Sequence, residues 1–321
     1  MKVLWKSIIL STVFAMSSAS AQESYPTKPI RLVVGFPPGG GVDIVARVVA
    51  EPLSKALGQP VIVENKPGAN AIIAAEHVAK SAPDGYTFLV TPTSTLKIDQ
   101  LVRPVRHYNP ETDLIPVSGL AVTPFVLAVN PSVPAHSVKE LIALAKQKPD
   151  SLNYGTPNFG MKFASAMYLQ QAGVKMYEIA YKGSSQGLMA LLSNEIQMLI
   201  LDSAPIAAHV KSGKVRALAV TTPTRASAFP DVPTMKEAGL PDYDWTPFMA
   251  MFAPTGTSAT IINKVQSEVA KAFTRPEVKE KLAGLTLDPN PMTAAELGNF
   301  VSKESARITT VVKSGNIKLE Q

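Results

Sequence analysis

The sequence predicts an α/β fold organised as two lobes. Short apolar runs that suit buried strands alternate with amphipathic stretches that suit helices along most of the chain. This strand–turn–helix alternation is typical of mostly parallel sheets flanked by helices. The length of 321 residues corresponds to about two domains.

The composition excludes several classes of protein. Hydrophobic residues make up 46% of the chain and charged residues only 17%, so intrinsic disorder is not expected. The absence of cysteine removes disulfides, thiolate zinc sites, iron–sulfur clusters and any lipid anchor attached through cysteine. The net charge of +6 is small and scattered, without the runs of lysine and arginine that are typical of nucleic-acid binding.

The first 21 residues are predicted to be a secretory signal peptide. Lys2 and Lys6 form a basic start, residues 7–16 are mostly apolar, and residues 19–21 (Ala-Ser-Ala) form a small-residue cleavage site. An N-terminal anchor helix is the alternative, but the apolar run is short for a membrane span. Cleavage lowers the net charge to +4. We therefore expect an exported, periplasmic protein that is not lipid-anchored.

Strands and helices alternate in the first part of the chain. Apolar runs predict strands at residues 30–34, 61–63 and 86–90. Helices are expected after Asp43 and over residues 71–80. Pro52 should kink or shorten the first helix, because proline lacks the N–H that the helix needs.

A second α/β series is predicted over residues 126–247. Its strands are expected at residues 125–129, 152–154, 177–181, 198–201 and 215–220. Its helices are expected after a capping box formed by Ser137 and Glu140, and over residues 162–172, 186–193 and 206–211. Residues 222–244 are rich in proline, aspartate and glycine, which predicts a surface crossover.

The last part of the chain predicts one strand and two helices. The strand is expected at residues 248–252. A single apolar stripe at Ile261, Val265, Val269 and Phe273 predicts the first helix. Thr293 and Glu296 form a capping box before the last helix, which is expected to end near Val312.

The candidate binding residues lie in loops at the carboxyl ends of predicted strands, where open α/β sheets bind ligands. Gly39, Gly40 and Gly41 precede a helix start, whose free N–H groups and positive dipole end suit an anion. A simple tight turn is the alternative interpretation of these glycines. The pattern is neither a dinucleotide fingerprint nor a Walker loop. Asp43 is expected first as the N-cap of this helix.

Other strand ends contribute further candidates. Lys66 is either an anion ligand or a solvated surface lysine, and Asn70 either caps the next helix or donates to a ligand. Asp202 is either an N-cap or a ligand contact. The other polar or aromatic candidates after strands are Thr93, Ser94, Asn158, Phe159, Lys182 and Ser203.

The sequence gives no support for catalysis. The four histidines have no i, i+4 spacing with one another, and no Gly-x-Ser-x-Gly elbow is present. Ser184 and Ser185 lie near Lys182, which superficially resembles a serine–lysine pair, but no reaction geometry follows from the sequence. We therefore predict no catalytic residue, no metal and no cofactor.

Several segments, in order, resemble one family. They are 25–31 (YPTKPIR), 35–40 (GFPPGG), 57–69 (LGQPVIVENKPGA), 82–87 (APDGYT), 181–183 (YKG), 214–221 (KVRALAVT), 229–234 (FPDVPT), 237–239 (EAG) and 252–254 (FAP). The sequence is similar to the Bug/TctC-type extracytoplasmic solute-binding receptors of tripartite tricarboxylate transporters. The resemblance extends over essentially the whole chain after the signal peptide.

The resemblance implies a two-lobed periplasmic-binding-protein fold of type II, with the ligand in the cleft between the lobes. It implies a first lobe of residues 22–125 and 248–321 and a second lobe of residues 126–247. The ligand would be a small organic carboxylate, which a monomeric receptor delivers to a membrane permease. A ligand-presenting sensor and an exported hydrolase are the alternatives, and nucleic acid is not expected as a partner.

The resemblance also implies a set of ligand-binding residues, which act largely through backbone N–H groups and ordered waters. The set is Phe36, Pro38, Gly39, Gly40, Gly41, Asp43, Gly68, Asn70, Thr93, Ser94, Asn158, Phe159, Lys182, Asp202 and Ser203. Asn70 and Ala71 stand where the family often has a second glycine, and Phe159 stands where it often has small hydroxyl residues. We therefore expect bulkier, more apolar side chains on that side of the pocket. The pocket should then be smaller, or it should suit an aromatic or aliphatic acid rather than citrate.

Overall fold

The computed structural model describes residues 25–102, 107–243 and 245–315, so the predicted signal peptide lies outside the described residues. The strands are β1 Ile30–Val34, β2 Val61–Asn65, β3 Thr87–Pro92, β4 Leu114–Val122, β5 Phe125–Val129, β6 Asn153–Thr156, β7 Tyr177–Ala180, β8 Met198–Asp202, β9 Arg216–Val220, β10 Phe248–Pro254 and β11 Asp288–Pro289. The helices are α1 Gly41–Leu57, α2 Ile72–Ala79, α3 Thr93–Val102, α4 Pro110–Asp113, α5 Val138–Gln147, α6 Phe159–Ala172, α7 Ser184–Leu192, α8 Ser203–Lys211, α9 Ala259–Thr274, α10 Pro276–Gly284 and α11 Ala294–Gly315.

The strands form two sheets, each the centre of one lobe. The first lobe contains a six-stranded sheet in the order β11-β4-β10-β3-β1-β2, and the second lobe a five-stranded sheet in the order β7-β6-β8-β5-β9. The chain passes to the second sheet between Val122 and Phe125 and returns between Val220 and Phe248. The α/β class and the two-lobed architecture are confirmed, while the residue boundaries of the lobes stay predictions.

Both sheets are mixed, whereas the sequence predicted mostly parallel ones. The pairs β1–β2, β1–β3, β6–β7 and β6–β8 are parallel. Strand β10 is antiparallel to β3 and β4, and β5 is antiparallel to β8 and β9. The crossings explain the difference, because β5 and β10 each enter a sheet from the other lobe and run away from the cleft.

This topology brings the loops that matter to one place. Strands β1, β2 and β3 run in one direction, so their carboxyl ends share one edge of the first sheet. Strands β6, β7 and β8 likewise end together at one edge of the second sheet. Because β4 leaves the first sheet at this edge and continues into β5, the two edges face each other across the cleft.

Helix α1 shows how the first lobe buries its apolar side. Val45, Val49 and Leu53 recur every four residues and are fully buried against the sheet. The helix continues past Pro52 to Leu57 and is therefore not shortened there. Proline removes one N–H group only, and the last turn is held by Gly58, whose N–H donates to the carbonyl oxygen of Ser54 (3.1 Å).

Candidate ligand-binding cleft

A cavity of about 720 Å³ lies between the two lobes. Loops after β1 and β2 of the first lobe line it, together with loops after β6 and β7 and the end of β8 of the second lobe. The predicted site residues that line it are Phe36, Gly40, Gly41, Gly68, Asn70, Asn158, Lys182 and Asp202. These predicted residues, which were chosen because they lie at the carboxyl ends of strands, therefore meet at one cavity.

Other lining residues were absent from the predicted set. They are Gly35, Pro37, Val42, Pro67, Ala69, Pro157, Tyr181, Gly183, Ser184, Ser185 and Gln186. Most are chain neighbours of predicted residues. Ser184 and Ser185 begin α7 directly after a strand and Gly183, so the rule applied to the other loops would have found them.

Asp43 supports the loop after β1 (residues 35–40, the first loop) from behind and does not cap the helix. Gly40 is the N-cap of α1, and Asp43 is the third helical residue, 3% exposed. Its carboxylate accepts hydrogen bonds from the N–H of Gly39 (3.0 Å), from Nδ2 of Asn65 (2.9 Å) and from Nε of Arg47 (3.0 Å). Burial opposes ionisation, but these hydrogen bonds outweigh it and hold the pKa of Asp43 below its usual value.

The loop after β2 (residues 66–71, the second loop) contains a strained left-handed turn. Ala69, Asn70 and Ala71 have consecutive positive φ values of 48°, 53° and 72°, each unfavourable for a residue with a Cβ atom. Ala71 packs against Gly35, where an added Cβ would lie 2.4 Å from the Cα of Ala71. Glycine is therefore required at position 35, directly after β1. Backbone strain of the kind found in this turn commonly marks a functional site.

The start of α6 brings residues from both lobes together. Asn158 is its N-cap, and the side-chain oxygen of Asn158 accepts from the N–H of Met161 (3.0 Å). Oδ1 of Asn70, from the first lobe, accepts from the N–H of Phe159 (3.2 Å). The ring of Phe159 is only 3% exposed and packs in the core of the second lobe. The prediction that this ring makes the pocket bulkier was wrong, because helix α6 begins at Phe159 and turns its ring inward.

The start of α7 supplies hydroxyl groups and a cation. Gly183 is its N-cap, and Ser184, Ser185 and Gln186 line the cavity. Lys182 is exposed at the same place, and its backbone N–H donates to Oε1 of Gln186 (3.0 Å). Lys182 is the only positively charged residue among the described residues that line the cavity.

Asp202 is the buried acid of the cleft. Its carboxylate accepts a hydrogen bond from Oγ of Ser184 (2.8 Å) and lies against the backbone of Gly41 in the other lobe. Burial raises the pKa of Asp202 to about 6, although Ser184 and the nearby backbone N–H of Gly41 act in the opposite direction. Asp202 stands at the N-cap position of α8, but its side chain does not cap that helix. A carboxylate of the protein itself, that of Asp202, therefore lies at the start of α1.

The remaining predicted site residues lie outside the cavity lining: Pro38, Gly39, Asp43, Thr93, Ser94, Phe159 and Ser203. Pro38 and Gly39 are exposed, and a Cβ at Gly39 would lie 3.7 Å from Oγ of Ser185. Thr93 is buried, and its hydroxyl donates to Glu304 of α11. Ser203 is also buried, and its Oγ donates to the carbonyl oxygen of Thr286 in the first lobe (3.1 Å).

Residues 45–317 match the family described as the tripartite tricarboxylate transporter family receptor, TctC. The chain belongs to this family. The receptor is 34% identical to BugT of Bordetella pertussis over 316 residues, which covers 98% of this chain and 97% of BugT. The resemblance to Bug/TctC receptors is therefore confirmed.

Solved structures agree with this assignment of the receptor. Rpa4515 of R. palustris, solved with adipate, is 32% identical with a TM-score of 0.88, over 91% of the receptor and 99% of that chain. MatC (Rpa3494) from Rhodopseudomonas palustris, solved with bound malate, is 29% identical with a TM-score of 0.84, over 90% and 100%. Within the described ranges, no helix of the receptor is both long and apolar enough to span a membrane.

Proposed function

We propose that this receptor captures a small organic carboxylate between its lobes and delivers it to a tripartite tricarboxylate-type membrane permease. The observation that carries the proposal is the convergence of the starts of α1, α6 and α7 on one cavity. Helix starts present free N–H groups and a partial positive charge, and both favour a carboxylate. Relatives solved with adipate and malate support the same class of ligand.

The donors at the cavity suffice for useful affinity. Hydrogen bonds to a charged group contribute about 1.5–3 kcal/mol each, and a micromolar dissociation constant corresponds to about −8 kcal/mol. Several N–H groups, the hydroxyl of Ser185 and the ammonium of Lys182 are of the right kind and border the cavity. Binding therefore needs neither a metal nor a cluster of cationic side chains.

Binding is coupled to movement of the lobes. Two connections join them, one between Val122 and Phe125 and one between Val220 and Phe248, and rotation about both opens or closes the cleft. A ligand that contacts both lobes binds the closed form better, which is the requirement for ligand-driven closure.

We further propose a periplasmic monomer that is released from its signal peptide and has no lipid anchor. Catalysis is not part of the proposal. The hydroxyl of Ser184 is held by Asp202, and the described lining of the cavity contains no histidine.

The first test is native mass spectrometry of the purified protein, which should reveal a retained acid and its mass. Calorimetric titration of ligand-stripped protein with adipate, malate and citrate should then show micromolar binding of at least one carboxylate. Binding of none of these acids, together with no retained acid, would contradict the proposal.

Replacing Gly40 by valine tests the location of the site. A Cβ at Gly40 would contact the carbonyl oxygen of Pro37 and Oγ of Ser184 at the ordinary distances of 3.7 and 3.9 Å, so the loop should fold. The added methyl groups enter the cavity, and we expect Gly40→Val to abolish binding with little change in melting temperature. Gly284→Val is the matched control, since a Cβ at Gly284 meets nothing within 4 Å. Tight binding by Gly40→Val would exclude the first loop.

A further inference from the structure

Two helix starts at the cleft are capped by side chains from the opposite lobe. The carboxylate of Asp202, from the second lobe, lies directly against Gly41 at the start of α1 in the first lobe, where an added Cβ would be 2.9 Å from Oδ1 of Asp202. Oδ1 of Asn70, from the first lobe, accepts from the N–H of Phe159 at the start of α6 in the second lobe. Each lobe therefore places a side-chain oxygen at a helix start of the other.

These contacts reach parts of the two helix starts that no local side chain caps. Gly40 is the N-cap of α1 and has no side chain to accept a hydrogen bond from the first turn. Asn158 caps α6 within its own lobe but serves the N–H of Met161, which leaves that of Phe159 for Asn70. Free N–H groups in the first turn are normally satisfied by a side chain, water or a ligand.

The Asp202 contact depends on close approach of the two backbones. A Cβ at Gly41 would lie 2.8 Å from Cγ and 2.9 Å from Oδ1 of Asp202, which is closer than a side chain allows. The hydroxyl of Ser184 holds the same carboxylate from within the second lobe (2.8 Å). Asp202 is 3% exposed, so Ser184 and Gly41 take the place that water would have around its carboxylate.

The Asn70 contact depends on the left-handed turn. Asn70 has φ 53° and ψ 48° between two other left-handed residues, Ala69 and Ala71. Asparagine tolerates this conformation better than most residues with a Cβ atom. The strained turn therefore fixes the direction of the side chain that reaches the other lobe.

We propose that Asp202 and Asn70 form a latch that holds the two lobes closed when no ligand is bound. The latch regulates access to the cleft, so its biological role rests on the proposed function, although the lobe equilibrium itself needs no ligand. A carboxylate of the protein occupies the start of α1, and a ligand enters only from the less populated open form. The apparent dissociation constant equals the intrinsic one divided by the fraction of molecules that are open, so the latch weakens the apparent affinity.

The test measures the distance between the lobes in ligand-free protein. The natural chain has no cysteine, so Ile73→Cys on α2 and Met189→Cys on α7 provide unique positions for spin labels. Both side chains are exposed, at 52% and 65%. Protein is unfolded, dialysed and refolded to remove ligand, with native mass spectrometry as the check, and distances are measured by pulsed electron paramagnetic resonance.

We expect the latched protein to show a major population at short distance. Asp202→Ala and Asn70→Ala should each lower the ratio of closed to open molecules about tenfold, which corresponds to about 1.4 kcal/mol. Asp202→Asn keeps an acceptor for Gly41 without the charge and should give an intermediate ratio. Circular dichroism melting verifies that each variant is folded.

Asn158→Ala is the matched control for Asn70→Ala. Both asparagines accept from the first turn of α6, but only Asn70 comes from the other lobe. We expect Asn158→Ala to lower the melting temperature and leave the distances unchanged. A ligand-free protein with only long distances would overturn the latch, and so would unchanged distances in both Asp202→Ala and Asn70→Ala. An equal shift in Asn158→Ala would also overturn it. Because no ligand is present, these results do not depend on whether a carboxylate binds.

Discussion

Glu304 is a buried acid behind the cleft, on the long helix α11 of the first lobe. It is 5% exposed, accepts a hydrogen bond from Thr93, and its Oε1 has no hydrogen-bond partner among the described residues. Burial raises its pKa to about 7, against the opposing effects of Thr93 and the charge of Arg307. The folded protein therefore keeps the proton of Glu304 to a higher pH than the unfolded chain does.

This burial predicts a stability that falls as the pH rises. The unfolded chain releases the proton of Glu304 near pH 4.5 and the folded chain near pH 7, so the folded state binds more protons in between. The free energy of unfolding should decrease across this window, by on the order of 3 kcal/mol for this group. Urea unfolding at pH 5 and pH 8 measures the decrease.

Glu304→Gln should reduce that decrease and raise the stability at pH 8. Asp202 acts in the same direction, since its pKa is raised to about 6, so some decrease remains. Glu280→Gln, at an exposed position on α10, should keep the full decrease. An unchanged pH dependence in Glu304→Gln would show that Glu304 is not buried as described.

The turn Ala69–Ala71 is the element with the most unusual backbone. Three residues with Cβ atoms adopt the left-handed region in succession, at about 1–2 kcal/mol each. The first loop and the end of β1 hold the turn in place, since Ala71 packs against Gly35. Its position is therefore set by tertiary contacts and not by local preference.

Substitutions at Ala69 test this strain. A β-branched residue tolerates positive φ poorly, so Ala69→Val should lower the free energy of unfolding by about 1–3 kcal/mol. Ala69→Gly should be close to neutral, because relief of strain offsets the greater entropy of the unfolded chain. Ala79→Val at the end of α2 is the control and should cost less than about 1 kcal/mol. Equal losses at both alanines would argue against a left-handed turn.

Local signals predicted many elements well. Both capping boxes are present: Oγ of Ser137 accepts from the N–H of Glu140 (3.2 Å), and Oγ1 of Thr293 from that of Glu296 (3.3 Å). Strand β4 was not predicted, because Pro116, Ser118 and Gly119 interrupt its apolar pattern. Helices α3, α4 and α10 and the short strand β11 were missed as well.

The two-lobed arrangement as a whole decides which predicted residues meet. Asp202 and Gly41 are about 160 positions apart in the sequence, and their contact exists only because the lobes face each other. Strand-end loops could be predicted from the sequence, since each depends on a local strand–helix change. Which residue of a loop faces the cavity could not be predicted from the sequence, because it depends on how two separate lobes meet.

Gly41→Ala tests the closed arrangement of the lobes. Alanine favours a helix more than glycine does, so α1 should remain folded. Its Cβ would lie 2.8 Å from Cγ of Asp202 and should keep the lobes apart. We expect a larger radius of gyration by small-angle X-ray scattering, and carboxylate affinity at least about tenfold lower, or 1.4 kcal/mol.

The control for this substitution is Gly284→Ala, where a Cβ meets nothing within 4 Å. It should leave both the radius of gyration and the affinity unchanged. Gly41→Ala protein with the compactness and affinity of the unmodified chain would show that the lobes do not approach this closely.

The position of β10 in its sheet determines the order in which the lobes can be completed. Strand β10, Phe248–Pro254, lies between β3 and β4 in the middle of the six-stranded sheet. All strands of the five-stranded sheet are present once Val220 has been made. In a chain that emerges from its amino terminus, the second lobe can therefore fold while the first still lacks its central strand. The backbone edges of β3 and β4 stay unpaired during that interval, so the first sheet is completed only after all strands of the second have been made.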